Sequence, residues 1–222
     1  MKTFLLTCTA FVICQLNLHA QMAMAGFQFG NLPDASFSIA TEDSEHSFSP
    51  AVAEGSFNNL VIGGGLGLAK TGRQMGLHLS MVNATLETDA GTIRLKGIAP
   101  AWHTNFYLNA TRPLALGITL RLGFGSLKTS FTDTVNYGIT EEDGPFDVEV
   151  RYRGITYQVG LGGRYVFANE SMAVFANAIY GIQAQKPKSV IVDGNEYAAD
   201  DFNGVDLSTA GIEFGLYYFF MK

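Results

Sequence analysis

His78-Leu79-Ser80 is the spacing in this chain that could carry catalysis. A histidine and a serine two apart on a strand point to the same side, so the imidazole can draw the hydroxyl proton for attack on an ester. Such a pair needs a carboxylate to orient the imidazole. The nearest in sequence are Glu87 and Asp89, in the polar stretch that follows. A second set is ionic. Arg121, Arg164 and Glu213 share one parity of their segments with His78, His103, Asn105, Asn177 and Gln183. If that parity faces the inside of a sheet protein, the charges must pair, because a buried unpaired charge is expensive. They then form a plug or, alternatively, line a narrow polar pore.

Other candidate chemistry is weaker. Gly63-Gly64-Gly65-Leu66-Gly67 ahead of Lys70-Thr71 has the composition of a phosphate loop, but no glycine directly precedes Lys70 and no helical pattern follows. Cys8 and Cys14 both lie in the first twenty residues, and neither follows the small residue of a lipoprotein signal. The rest of the chain therefore has no disulfide and no thiolate metal site. Acidic residues gather in three stretches: Glu42, Asp43, Glu45 and Glu54; Asp133, Glu141, Glu142, Asp143, Asp147 and Glu149; Asp193, Glu196, Asp200, Asp201 and Asp206. Lys70, Arg73, Arg112 and Lys222 gather at the opposite ends of the same segments. A solvated, self-repelling surface accounts for the acidic stretches. The functional alternative is divalent cations bridging them to lipopolysaccharide phosphates, although Asp193-Gly194-Asn195-Glu196 lacks a full calcium-loop pattern. None of these features implies a cofactor.

The chain opens on Lys2, an apolar stretch from Phe4 to Leu18, then Leu18-His19-Ala20 before Gln21. That is the order of a secretory signal. A second possible cut follows Ala25; cleavage after Ala20 is expected, leaving residues 1–20 as the signal and 21–222 as the mature domain. The mature part then carries 13 Lys/Arg against 20 Asp/Glu, a net charge of −7. Such acidity argues against a nucleic-acid partner, which would need a basic face. No later segment reaches the 18 or so apolar residues of a membrane helix; the nearest, Leu60 to Ala69, has ten residues, four of them glycine.

What must position the candidate residues is strand. From residue 58 onward the sequence alternates with period two. Leu114, Leu116, Ile118, Leu120, Leu122 and Phe124 stand against Ala115, Gly117, Thr119, Arg121 and Gly123. The pattern predicts seven strands, about 58–69, 73–85, 100–110, 113–129, 150–167, 171–185 and 207–221. An eighth over Ala25 to Ala40 carries Phe27, Phe29, Phe37 and Ile39 in one parity and is interrupted by Pro33. Connections alternate between tight turns near Lys70–Arg73, Ala110–Pro113 and Ala168–Ser171 and long loops over 41–57, 86–98, 131–150 and 186–206. Outer-membrane barrels show this asymmetry, with short periplasmic turns and long outer loops. The expected fold is all-β, an eight-stranded antiparallel up-and-down transmembrane β-barrel. Ten strands are possible if Thr92–Ile98 and Ser189–Asp193 cross separately; they read as strand extensions above the membrane.

Glycine position decides which face is inside. Gly63, Gly65, Gly117, Gly123, Gly160, Gly162, Gly211 and Gly215 are among twelve that lie opposite the aliphatic face. A soluble barrel would bury the large residues and leave glycine outside, with little to hold the strands. Turning the aliphatics into lipid removes the conflict, and the narrow interior then takes glycine and short polar groups. Outward aromatics fall at two levels, Trp102, Phe124, Tyr157 and Tyr180 near the long loops and Tyr165, Phe167, Tyr218 and Phe220 near the short turns. They form two expected aromatic belts, about one bilayer crossing apart.

With its signal peptide, glycine-rich alternating strands and closing GIEFGLYYFFMK, the chain resembles the small OmpX/OmpA-like outer-membrane β-barrels across its whole mature length. The resemblance implies a bacterial outer-membrane location and contact with lipid and lipopolysaccharide. It also implies recognition of the C-terminal strand by the barrel-assembly machinery, although Met221 and Lys222 follow Phe220 where members commonly end on an aromatic. His78 and Ser80 are similar in spacing to the pair of PagL-type lipid A deacylases, whose groups face lipid, whereas parity here sends both inward. The expected function is a non-enzymatic surface barrel serving envelope integrity, with adhesion or an extracellular partner through its acidic loops. The alternatives are a small-solute, porin-like channel and a lipid A deacylase.

Overall fold

The computed structural model describes residues 20–33, 35–37, 39–40, 47–48, 52–88, 91–133, 146–198 and 205–221. Eight long strands are present: β1 (Ala20–Asn31), β2 (Val52–Leu66), β3 (Arg73–Thr88), β4 (Gly91–Leu108), β5 (Leu114–Asp133), β6 (Phe146–Val166), β7 (Met172–Val192) and β8 (Val205–Met221). Each pairs antiparallel with the next, and β1 closes the ring against β8 from Ala20↔Met221 to Asn31↔Ala210. This is the closed up-and-down barrel that the alternation predicts. Closure gives each of the eight described long strands a neighbour on both sides, as strands in hydrocarbon require.

The boundaries differ from the sequence reading at the first strand and at all four expected loops. Strand replaces part of 41–57, where β2 begins at Val52, and of 131–150, where β5 runs to Asp133 and β6 begins at Phe146. The first strand begins at Ala20 and stops at Asn31, before Pro33, which has no amide to donate to a ladder. Ala35–Phe37 instead pairs with the top of β8, and Ile39–Ala40 pairs with Ser47–Phe48. The stretch 86–98 is not a loop: β3 and β4 stay paired up to Thr88↔Gly91. Thr92–Ile98 and Ser189–Val192 continue β4 and β7, so eight strands cross, not ten. Beyond Val192, Asp193 and Gly194 both take positive φ (47° and 85°) and turn the chain into a hairpin whose second arm is Asn195–Ala198. Two successive positive-φ residues match the twist of paired strands, which is why Asp-Gly serves there.

The aliphatic parity faces out. Leu116, Leu122, Phe124 and Leu161 are each more than 60% exposed. Leu114 to Phe124 covers about 33 Å along the strand, or about 25 Å once tilted by ~40°, the height of a bilayer's apolar band. The glycines face in, and they also let the wall bend. At the β1–β8 seam, a Cβ on Gly30 would lie 2.2 Å from the Ala210 carbonyl oxygen, and one on Gly211 2.2 Å from that of Phe29. Alanine at either position would force the seam apart.

The interior is layered. Met22, Met24, Val61, Ala69, Val166, Ala173, Phe175, Tyr217 and Phe219 close the short-turn end. A polar belt fills the middle. Above it, Leu86, Ile93, Leu95, Leu127, Val148, Val150, Tyr152, Val190, Val192 and Leu207 make a second apolar cluster inside the projecting strands. Ile93, Leu95, Val190 and Val192 lie in the stretches that the sequence reads as strand extensions above the membrane, whereas Leu86 and Val148 fall in stretches it reads as loops.

Candidate functional site: the polar belt of the lumen

Arg121 and Glu213 meet across the lumen from β5 and β8. The Arg121 Nη2 donates to both Glu213 carboxylate oxygens, at 2.6 and 2.7 Å, and Nη1 donates to Gln158 Oε1 at 2.5 Å. Glu213 is wholly buried. Its Oε2 also accepts from Asn177 Nδ2 at 3.0 Å and its Oε1 from Gln28 Nε2 at 3.3 Å. Four donated hydrogen bonds fill the acceptor sites of one carboxylate. Gln28 further donates to Gln158 Oε1 (3.1 Å) and accepts from Asn59 Nδ2 (3.4 Å), and Asn59 Oδ1 accepts the Asn83 amide at 3.1 Å. Strands β1, β2, β3, β5, β6, β7 and β8 are thus tied through a single network. Parity alone identifies Gln28, Asn59 and Gln158 as inward, but the sequence reading did not single them out.

His78 and His103 sit beside this network with ring centroids 6.0 Å apart, and His78 Nε2 lies 3.2 Å from Ser80 Oγ. The pair therefore forms as the spacing predicts, inside the wall rather than on the lipid face. No described residue hydrogen-bonds His78 Nδ1, so no carboxylate orients the ring. Glu87 accepts instead from Thr92 Oγ1 at 2.9 Å, outside the lumen. Asp89 lies outside the described residues.

Arg164 corrects the sequence reading. It is buried in the lumen but does not join Arg121 and Glu213. Its guanidinium carbon stacks 4.1 Å over the Tyr107 ring, and its Nη2 donates to the Thr71 carbonyl at 2.9 Å. Gln158 marks the belt on β6, and Arg164 is six residues nearer the short turns, about 20 Å along the strand. Asn105, from the same end, donates to Tyr217 Oη at 3.1 Å.

Between belt and upper cluster lies a cavity of about 40 Å³, bounded by Gln28, His78, Ser80, Arg121 and Gln183. That is room for about three waters, not for a solute. Among the described residues no three His, Cys, Asp or Glu side chains gather to hold a metal.

On the outside, Phe124, Tyr157 and Tyr180 are exposed, Trp102 is half-buried, and Trp102 and Tyr157 both pair across from Leu122. At the other end Tyr165 and Phe167 pack edge-on at 5.7 Å, and Tyr218 and Phe220 at 4.9 Å. Of the acidic stretches, Glu42, Asp43, Glu45, Glu141, Glu142, Asp143, Asp200 and Asp201 lie outside the described residues, as does Lys222.

No family model and no curated protein matches the chain. Among solved structures, it is similar to the outer membrane protein OprG of Pseudomonas aeruginosa at 14% identity, covering 92% of this chain and 97% of that one with a TM-score of 0.51. It is also similar to the translocator domain of the autotransporter NalP of Neisseria meningitidis at 12% identity, covering 96% and 67% with a TM-score of 0.39. The likeness to OprG shows the fold, that of a transmembrane β-barrel, and the outward aliphatic band fits a lipid surround.

Proposed function

We propose that this chain is a non-enzymatic surface barrel with a structural or adhesive role, closed to solutes and holding its upper strands out for contact. The sealed lumen carries this reading. An apolar cluster lies at each end, and the Arg121–Glu213 network crosses the middle. A channel would need a continuous polar path, whereas eight strands leave an interior that side chains fill. Refolded protein in a planar bilayer should give no sustained single-channel openings at 100 mV in 1 M KCl. Stepwise, reproducible conductance would overturn the reading.

Two further expectations fit this proposal. Cleavage after Ala20 would keep Met22 and Met24, both buried in the lower cluster, whereas cleavage after Ala25 would remove them along with half of β1. Tyr218 and Phe220 stand on the outer face of β8, where assembly machinery could read the last strand before the barrel closes. The closed ring of eight strands also suits the resemblance to small OmpX/OmpA-like barrels.

A further inference from the structure

Half of the chain's 14 Lys and Arg residues stand on one patch of the outer wall, although the whole chain has a net charge of −6. Lys96, Lys128 and Arg151 lie opposite one another in a row across β4, β5 and β6, and Arg153 faces Lys186 one row nearer the membrane. Arg94 and Lys188 flank them, and all seven are exposed. Like charges directly across a strand pair, about 5 Å apart, repel and destabilise the sheet. Glu149 offsets part of this through ion pairs to Lys128 and, at 3.0 Å, to Arg151. Among the described residues it is the one carboxylate ion-paired with the patch.

The height of the patch is as informative as its charge. On each strand it begins where the lipid-facing row ends: after Ile98 on β4, after Phe124 and Ser126 on β5, after Ile155 on β6 and after Ala184 on β7. Lys96, Arg153 and Lys186 stand two residues, about 7 Å along the strand, beyond that row. Arg94, Lys128 (counted from Phe124), Arg151 and Lys188 stand four beyond it, about 13 Å, so the patch starts at the level of lipid headgroups and extends above it. Around the rest of the ring the same level shows Asp206, Asn31, Asn58 and Asn83, and no Lys or Arg among the described residues. Two adjoining surface hollows of about 460 and 640 Å³ are both bounded by Lys96 and Lys128.

We propose that the β4–β7 wall binds the phosphate-bearing headgroup of an outer-leaflet lipid. This rests on the reading of the chain as a surface barrel. Its repelling rows gain their missing counter-charge from the phosphates, while Ile98, Phe124 and Ile155 below contact the acyl chains of the same molecule. The sided arrangement gives the barrel a preferred lipid neighbour on half its circumference.

The test uses the refolded full chain in phosphatidylcholine nanodiscs doped with diphosphoryl lipid A or with its dephosphorylated form, native mass spectrometry counting the retained lipid. Wild type should retain the phosphorylated form at least tenfold better. Lys96→Gln/Arg153→Gln/Lys186→Gln, which spares the Glu149 pairs, should weaken retention on the order of a hundredfold, about fivefold per cation removed. Lys70→Gln/Arg112→Gln, at the opposite rim, should leave it unchanged. Equal retention of the two lipids, or an unaffected triple variant, would overturn the site while leaving the barrel intact. Heparin binding as tightly as lipid A in plain detergent would assign the patch to a soluble polyanion and overturn the lipid. No gel-mobility shift between boiled and unboiled samples would sink the barrel reading itself, a separate failure.

Discussion

Along β5 the outward row reads Leu114, Leu116, Ile118, Leu120, Leu122 and Phe124, then Ser126, Lys128, Ser130 and Thr132. The inward row reads Ala115, Gly117, Thr119, Arg121 and Gly123, then Gly125, Leu127, Thr129 and Phe131. The lower part of the strand is apolar outside and small or polar inside, and the upper part is the reverse. Neither pleat nor register changes between them: β5 stays paired to β6 without a break from Leu114↔Tyr165 to Asp133↔Phe146. What changes is the solvent outside. Hydrocarbon rewards outward leucines and frees the interior to hold a salt bridge. Water rewards outward lysines and demands that leucines be packed within. The level at which the pattern inverts marks the membrane surface more directly than any aromatic residue.

Two interiors built on opposite principles should fail in opposite ways. The polar belt is the more brittle. Glu213→Leu removes four accepted hydrogen bonds and strands Arg121, 3% exposed at its side chain, without a counter-charge. The expected loss is about 3–5 kcal/mol in urea unfolding followed by gel mobility. Arg121→Leu/Glu213→Leu should recover most of it, because replacing a buried pair with apolar groups is often neutral. If the double variant is as unstable as the single, the belt is held by its amides and not by the ion pair.

The upper cluster should behave as an ordinary soluble core. Leu95 is fully buried there, whereas Leu120 faces lipid at 47% exposure. Leu95→Ala should cost about 2–5 kcal/mol, the loss of transfer energy plus a cavity. Leu120→Ala should cost roughly 2 kcal/mol at most, since an acyl chain fills the gap and only transfer energy is lost. Hydrogen exchange would localise the first change to the amides of β3–β6 above the membrane. Equal costs at the two sites would mean that the projecting strands are not a packed core.

Period-two alternation was enough to read the ring of eight, because a strand's parity survives any error in its ends. It also placed Arg121, Glu213, His78 and His103 inside. It could not tell which of the inward charges meet. Arg164 shares their parity, but its distance along β6 sets it against Tyr107, and parity carries no height. The upper cluster was hidden for a different reason. Leu86, Leu95, Leu127 and Val148 alternate with polar or charged residues, which shows strand continuing over Thr92–Ile98, but alternation alone does not say that the inward residues above the membrane pack into a core. The local signal was present in Asp193-Gly194, a turn pair between apolar-alternating arms, which marks a hairpin more strongly than an incomplete calcium loop.

The smallest expected effect lies on the outer wall of the extension, where charge is solvated instead of sealed. Slight burial pushes the Glu149 carboxyl up, but hydrogen bonds from Lys128 and Arg151 outweigh it and hold it below the usual carboxylate range. A group depressed in the folded state stabilises above its unfolded pKa, about 4.3 for a glutamate, and loses that contribution as pH falls through the lower folded value. Wild type should therefore melt slightly above Glu149→Gln at pH 7, and the two should converge as the pH drops below about 4. The gap should also shrink in 1 M salt, where screening reaches about 3 Å. The buried Arg121–Glu213 pair, out of reach of bulk ions, should show no response to salt. A gap at Glu149 that persisted in high salt would mean that its contribution is packing and not charge, and the contrast between a sealed and a solvated ion pair on one barrel would fail.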